Sequence, residues 1–198
     1  ISEPYFVVME DTQKGLVARC MRMLYERKLV TATGGNVSAK RDEDSFYITP
    51  TSLLKGDITE NDISLVTLKG EVLEGRYKPS SEWRMHAAIY QSFPDVKFIV
   101  HAHPTYALAL VRSGLSFNPI TEEADIFLPN SVGLVGKMSP GTWDFAKAVS
   151  SSLKGHYAVL IEDHGAVTIG KDFIEAFTRM DILEKNCKII MLSRRSRS

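Results

Sequence analysis

Short strand-like runs alternate with amphipathic helical segments along the chain, and this order restricts the possible folds more than any other feature. Residues 37–49 and 63–73 each contain two such runs separated by a tight turn, so we predict two β-hairpins. Further strands are expected over residues 97–103, 158–162 and 166–169. Because hairpins pair strands antiparallel, the pattern predicts a layered α/β or α+β fold in which much of the sheet is antiparallel.

Helices are predicted where apolar residues recur every three or four positions. In the first such segment, Leu16, Cys20 and Leu24 share one helix face. The five predicted helices span residues 12–27, 80–91, 104–114, 142–153 and 173–192. The chain has 198 residues, of which 44% are hydrophobic, so we expect residues 1–198 to form one globular domain with a sizeable core.

The overall composition restricts the partners and the compartment. Lysine plus arginine and aspartate plus glutamate both number 24, and this balance argues against a nucleic acid partner. No apolar run approaches the ~20 residues that a membrane span needs. Residues 1–15 lack the basic and apolar regions of a signal peptide. Cys20 and Cys187 lie in apolar helical patterns, so we predict buried free thiols in a cytoplasmic protein without membrane contact.

Three histidines that follow apolar strands predict a metal site. His101 and His103 stand two residues apart at the end of a strand, so their side chains project from the same face. His164 follows another apolar run, and two strand ends can converge on one site. Three histidines with an open position or a carboxylate are typical of catalytic zinc, although iron, cobalt and manganese also accept such ligands.

Simpler interpretations exist for several of these histidines. A His-x-His pair alone is as often structural as metal-binding, and only the third histidine favours the metal. His86 lies four residues after Glu82 on one helix face, where it either contacts the site or supports it through hydrogen bonds. His156 follows Gly155 in a predicted loop, and we assign it no role.

Three turns rich in glycine or hydroxyl groups are candidates for binding an anion. The first contains Gly35, which lets backbone N–H groups converge, and Asn36, which adds a side-chain donor. Ser80 and Ser81 precede a helix, where free N–H groups point outward, and residues 49–52 add hydroxyl groups. Each turn is also compatible with a plain tight connection or a helix cap.

Glu82 follows the serine pair and is the candidate proton acceptor. If the turns hold a phosphate, this carboxylate lies within reach of the carbon next to it, and a carboxylate near a zinc ion can act as a general base. The simpler interpretation is a glutamate that stabilises the positive end of the helix dipole.

Five segments, in the order in which they occur, resemble the class II aldolase/adducin family. They are GGNVS at residues 34–38, ITPT at 48–51, PSSEWRMH at 79–86, HAH at 101–103 and HG at 164–165. The resemblance covers nearly the whole chain and implies a layered α/β/α fold around a mostly antiparallel central sheet. It also implies a ring-shaped homotetramer with active sites between subunits.

The resemblance assigns roles to particular residues. His101, His103 and His164 match zinc ligands. Glu82 matches an acid/base residue that also binds the metal when substrate is absent. The positions that match the phosphate site for the substrate are Gly35, Asn36, Thr51, Ser52, Ser80 and Ser81.

The chain departs from the family's aldolases in three places. Ser52 stands where aldolases specific for fuculose phosphate usually have glycine. A neighbouring subunit in those enzymes supplies a tyrosine, but residues 119–124 contain none, so Glu122 or Glu123 is a candidate substitute. We also expect no counterpart of the tyrosine in the family's C-terminal tail, because the chain ends soon after the last helix.

The implied activity is a metal-dependent aldol cleavage. The resemblance is greatest to the family's aldolases that split L-fuculose 1-phosphate, a ketose 1-phosphate, into dihydroxyacetone phosphate and an aldehyde. A sugar-phosphate epimerase, a decarboxylase and a dehydratase of the same family are alternatives. The epimerases typically carry aspartate at the position of Glu82, which favours the aldolase. An adducin-like binding module is a further alternative, and the retained histidines argue against it.

Overall fold

A computed structural model of the protein describes residues 12–195. Residues 1–11, on which most of the signal-peptide prediction rests, lie outside the described range, as do residues 196–198. Within the described range, no helix combines the length and the apolar character that crossing a membrane requires.

One eight-stranded sheet forms the centre of the fold. Its strands are β1 (Asn36–Lys40), β2 (Ser45–Ile48), β3 (Ser64–Thr67), β4 (Val72–Glu74), β5 (Phe98–Ala102), β6 (Gly133–Val135), β7 (Ala158–Ile161) and β8 (Gly165–Gly170). Their spatial order is β4-β3-β2-β1-β5-β8-β7-β6. Every neighbouring pair is antiparallel except β6 and β7, which run parallel. The sheet is therefore mostly antiparallel, as predicted.

Helices cover both faces of this sheet. They are α1 (Gln13–Glu26), α2 (Trp83–Ser92), α3 (Thr105–Arg112), α4 (Glu122–Phe127), α5 (Trp143–Ser152) and α6 (Phe173–Arg195). Buried side chains of α1, α3, α4 and α6 form one apolar cluster with the sheet, and those of α2 and α5 form a second. The layered α/β/α architecture is confirmed.

The alternation of side chains along β5 decides which face carries the first histidine. Phe98, Val100 and Ala102 belong to the first apolar cluster, whereas Ile99 belongs to the second. Successive strand residues point to opposite faces, so the fully buried His101 lies on the side of α2 and α5.

The predicted hairpins, the five longer helices and the buried thiols are confirmed. The structure differs from the prediction in two short elements and in the start of one helix. Helix α4 and strand β6 were not predicted, because six and three residues are too few to establish a period. Helix α2 begins at Trp83 rather than at the serines, and Ser80 Oγ accepts a hydrogen bond of 3.3 Å from the Glu82 amide. Cys20 and Cys187 are free and buried.

Candidate metal and catalytic site

Adjacent strand ends bring the three predicted histidines together. Strands β5 and β8 pair antiparallel with Ala102 opposite Ala166, so the end of β5 lies beside the start of β8. His101 and His103 come from the end of β5, and His164 lies in the turn between β7 and β8. Residues that are far apart in sequence therefore face one point.

The distances between the imidazoles are short. Nε2 of His103 lies 3.2 Å from Nε2 of His101. The three ring centroids are 4.8–5.5 Å apart, and each ring offers one nitrogen within 4.8 Å of the other two. The rings are close enough to share a single cation.

Small residues make this close approach possible. A Cβ atom on Gly165 would lie 2.2 Å from the Ala102 carbonyl oxygen and 2.8 Å from Cδ2 of His103. A Cβ atom on Gly34 would lie 2.8 Å from Nδ1 of His103. Asp163, the residue before His164, has a φ angle of 56°, a left-handed conformation that aspartate tolerates better than most residues. The glycines of the sequence motifs thus leave room for the imidazole rings.

Glu82 turns toward the histidines instead of capping its helix. It stands at the N-cap of α2, but its side chain makes no capping hydrogen bond. Oε2 lies 3.2 Å from Nε2 of His101, and Oε1 lies 3.4 Å from Nε2 of His164. The interpretation of Glu82 as a residue that only stabilises the helix dipole does not account for this orientation.

Burial and mutual contacts set the protonation of these groups. Burial, together with the neighbouring histidines, lowers the pKa of His103 to about 4 and that of His164 to about 4, so both rings are neutral at pH 7. Burial would lower the pKa of His101 as well, but the Glu82 carboxylate outweighs it and raises that pKa. Burial would raise the pKa of Glu82, but the charge of His101 holds it well below its usual range.

The donor set fits a divalent transition metal ion. Nδ1 of His101 lies 3.0 Å from the Ala166 carbonyl oxygen and donates to it, so Nε2 is the nitrogen that would bind a cation in exchange for its proton. Nδ1 of His164 and Oε1 of Glu82 are buried and have no hydrogen-bond partner among the described residues. Buried polar atoms without protein partners fit a site that binds an ion or water.

A buried chain of hydrogen bonds holds the side chain of Glu82 in this orientation. Nδ2 of Asn36 donates to Oε2 of Glu82 over 2.8 Å, so Oδ1 of Asn36 must accept the 2.5 Å hydrogen bond from Nε2 of His86. Nδ1 of His86 then accepts from Ser38 Oγ at 2.6 Å, and Ser38 Oγ accepts from the Tyr90 hydroxyl at 2.8 Å. Burial lowers the pKa of His86 to about 3, which keeps the ring neutral. Of the two interpretations of His86, the structure favours support through hydrogen bonds.

We expect His86→Leu to weaken both the fold and the site. The variant removes the donor to Asn36 Oδ1 and the acceptor of the Ser38 hydroxyl proton, which costs about 1–3 kcal/mol in the free energy of unfolding. Without His86 the side chain of Asn36 is held less firmly, which should also reduce kcat/KM by about 10- to 100-fold. Denaturant unfolding and steady-state kinetics measure the two effects. Tyr90→Phe removes only the last donor of the chain and should leave kcat/KM nearly unchanged. Equal activity of His86→Leu and wild type would refute the assigned role.

His103, His164 and Glu82 line a cavity of about 180 Å³, and His101 contacts this cavity's Glu82. Five of the six predicted phosphate-site residues line it, namely Gly35, Asn36, Thr51, Ser80 and Ser81. A roomier cleft of about 630 Å³ near Tyr47 is lined by no histidine, and its Lys14 and Arg76 are each paired with a carboxylate. We therefore place the site in the smaller cavity.

Some candidate residues lie outside the cavity, and Lys55 and Pro140 line it although neither was predicted. Ser52 is exposed and is not among the residues that line the cavity, and its φ angle of 60° is a conformation that glycine adopts more readily than serine. Glu122 and Glu123 lie on α4 and are not among the residues that line the cavity. Lys55 lines the cavity although it is almost fully buried, and lysine is so rarely buried that no sequence signal identified it.

Comparisons with known proteins identify the family. Residues 15–191 match the family described as Class II Aldolase and Adducin N-terminal domain. The chain belongs to this family. An L-fuculose phosphate aldolase of Methanococcus vannielii is 38% identical over 167 residues, which cover 84% of this chain and 89% of that protein. A solved structure of an L-fuculose 1-phosphate aldolase has 30% sequence identity and a TM-score of 0.85, with 92% of this chain and 86% of that chain covered.

The class II aldolase family also contains relatives with another reaction. A 3-oxo-tetronate 4-phosphate decarboxylase of Haemophilus influenzae is 33% identical over 183 residues, which cover 89% of this chain and 86% of that protein. The chain is thus an enzyme of the class II aldolase family, whose aldolases depend on a metal, and family membership alone does not select the reaction.

Proposed function

We propose that the chain is a divalent-metal-dependent aldolase that reversibly cleaves a ketose 1-phosphate of the L-fuculose 1-phosphate type. The products would be dihydroxyacetone phosphate and an aldehyde. One observation carries the proposal, namely that three imidazoles and one carboxylate meet beside a cavity lined by hydroxyl, amide and glycine residues. The similarity to the aldolase of Methanococcus vannielii supports the choice of reaction.

In this proposal His101, His103 and His164 hold the metal, and Glu82 joins them when substrate is absent. Zinc suits three neutral imidazoles and a carboxylate, which makes it our preferred ion. When bound, such a cation supplies Lewis-acid stabilisation of the negative charge left by cleavage of the C3–C4 bond.

Glu82 is the proposed acid/base residue. Asn36 holds its Oε2, whereas Oε1 accepts no hydrogen bond from the described residues and is free to carry a proton. In the synthetic direction Oε1 takes a proton from the carbon of dihydroxyacetone phosphate that bonds to the aldehyde. In the cleavage direction it returns a proton to that carbon.

The residues that would orient the substrate phosphate are those of the three predicted turns. We assign Gly35, Asn36, Thr51, Ser80 and Ser81 to this task because they line the cavity next to the histidines. The assignment of Ser52 rests on the family resemblance alone.

The proposal extends to assembly and location. A homotetramer with sites between subunits, in the cytoplasm and without nucleic acid or membrane partners, follows from the resemblance and the balanced charge. A subunit arrangement of this kind would let a neighbouring chain supply the proton donor for the aldehyde.

A panel of ketose 1-phosphates, assayed with and without a chelator, tests the reaction. We expect release of dihydroxyacetone phosphate that a chelator abolishes and added zinc restores. The decarboxylase of Haemophilus influenzae makes decarboxylation the second candidate, so carbon dioxide release from a 3-oxo-tetronate 4-phosphate is measured in parallel. Carbon dioxide without aldol cleavage would select the decarboxylase, and cleavage that resists the chelator would refute the metal's role.

A further inference from the structure

Lys55 is a buried cation without a counter-charge at the proposed phosphate site. Its side chain is 1% exposed, and no carboxylate of the described residues lies within ion-pair distance of it. Nζ donates one hydrogen bond, of 2.8 Å, to the Pro50 carbonyl oxygen. An ammonium group has three donors, so two of them have no acceptor within residues 12–195.

The fold fixes Lys55 between two of the turns that line the cavity. Its amide donates to the Ala32 carbonyl oxygen over 2.8 Å, which attaches it to the segment before Gly34 and Gly35. Its side chain reaches back to Pro50, next to Thr51. Lys55 therefore lines the same cavity as the glycine and hydroxyl donors.

Burial of an unpaired charge is unfavourable, and a ligand can supply the missing partner. Burial lowers the pKa of Lys55 to about 8, so the side chain remains mostly charged at pH 7. Isolated buried charges are costly unless they are paired. Hydrogen bonds between an ammonium group and a phosphate are charge-assisted and stronger than those of neutral donors.

We propose that Lys55 binds the phosphoryl group of the substrate and supplies its counter-charge, alongside the neutral donors of the surrounding turns. This inference rests on the proposed function for the identity of the substrate, but the ligand chemistry, a phosphoryl dianion, follows from the cavity itself. Lys55 contributes affinity and orientation and takes no part in proton transfer.

Binding of inorganic phosphate to the metal-loaded protein tests the inference without any turnover. We expect Lys55→Met to weaken phosphate binding by about 10- to 100-fold, the effect of losing one hydrogen bond between charged groups. Lys55→Gln, which keeps a donor for Pro50, should weaken it similarly while remaining folded. Lys69→Gln, at the exposed turn between β3 and β4, is the matched control and should bind phosphate like wild type.

Turnover of two donor substrates separates this role from a structural one. With dihydroxyacetone phosphate as donor, Lys55→Gln should raise KM by a similar factor, whereas slow turnover of unphosphorylated dihydroxyacetone should not change. An equal loss with both donors, or unchanged phosphate affinity in both variants, would overturn the inference. If wild type shows no aldolase activity but still binds phosphate through Lys55, the proposed reaction fails and the phosphoryl site stands.

Discussion

Replacement of Glu82 by glutamine is expected to lower kcat/KM by about 10²- to 10⁴-fold, the usual contribution of general acid–base catalysis. The variant should fold, because the glutamine oxygen can accept the hydrogen bond from Asn36 that Oε2 accepts in the wild type. Its amide nitrogen then occupies the position of Oε1, where it cannot take a proton. Steady-state kinetics and metal content are measured on the same preparation.

The matched control for this variant is Glu162→Gln. Glu162 is an exposed glutamate in the turn that carries His164, and its Oε2 accepts a 3.3 Å hydrogen bond from the Lys137 amide. Glutamine can accept that bond as well, so activity should be unchanged. Full activity of Glu82→Gln with metal bound would show that the acid/base residue is a different group.

The substitution Gly165→Ala should disturb the fold and the site together. Its Cβ atom would collide with the Ala102 carbonyl oxygen at 2.2 Å and with the ring of His103 at 2.8 Å, so β5 and β8 must separate. Overpacking of this kind costs about 1–3 kcal/mol, which corresponds to a fall in Tm of roughly 2–12 °C for a chain of this size. Displacement of His103 should also lower the affinity for zinc. Thermal unfolding and zinc titration measure both effects.

Gly136→Ala is the control for the loss of a glycine near the same end of the sheet. The nearest atom to a Cβ at this position is Oε2 of Glu162 at 3.9 Å, so ordinary contact replaces the collision. We expect a change within about 0.5 kcal/mol and unaltered zinc binding. Equal stability of Gly165→Ala and Gly136→Ala would mean that the strands tolerate the extra atom.

The meeting of the histidines could be predicted because local patterns specify it. Each histidine follows an apolar strand, and strand periodicity places His101 and His103 together. The orientation of Glu82 could not be predicted, since a glutamate at a helix start ordinarily serves the dipole. Its direction depends on Asn36, which is 46 residues away in sequence.

The features that escaped prediction depend on contacts distant in sequence. Strand β6 has three residues and exists because Gly133–Val135 pairs with β7. Lys55 is buried because separate turns close around it, and composition alone assigns lysine to the surface. The chain of donors from Tyr90 to Glu82 crosses a strand and a helix, so residue spacing could suggest only that His86 and Glu82 share a face.

Zinc stoichiometry tests the central claim, that His101, His103 and His164 share one divalent cation. The protein is stripped with a chelator, loaded with zinc and dialysed, and zinc per chain is determined by elemental mass spectrometry. We predict one zinc ion per wild-type chain and per His156→Ala chain, since His156 lies outside the cluster, and a large loss of zinc from His101→Ala. Absence of zinc from the wild type, or retention of a full equivalent by folded His101→Ala, would contradict the account.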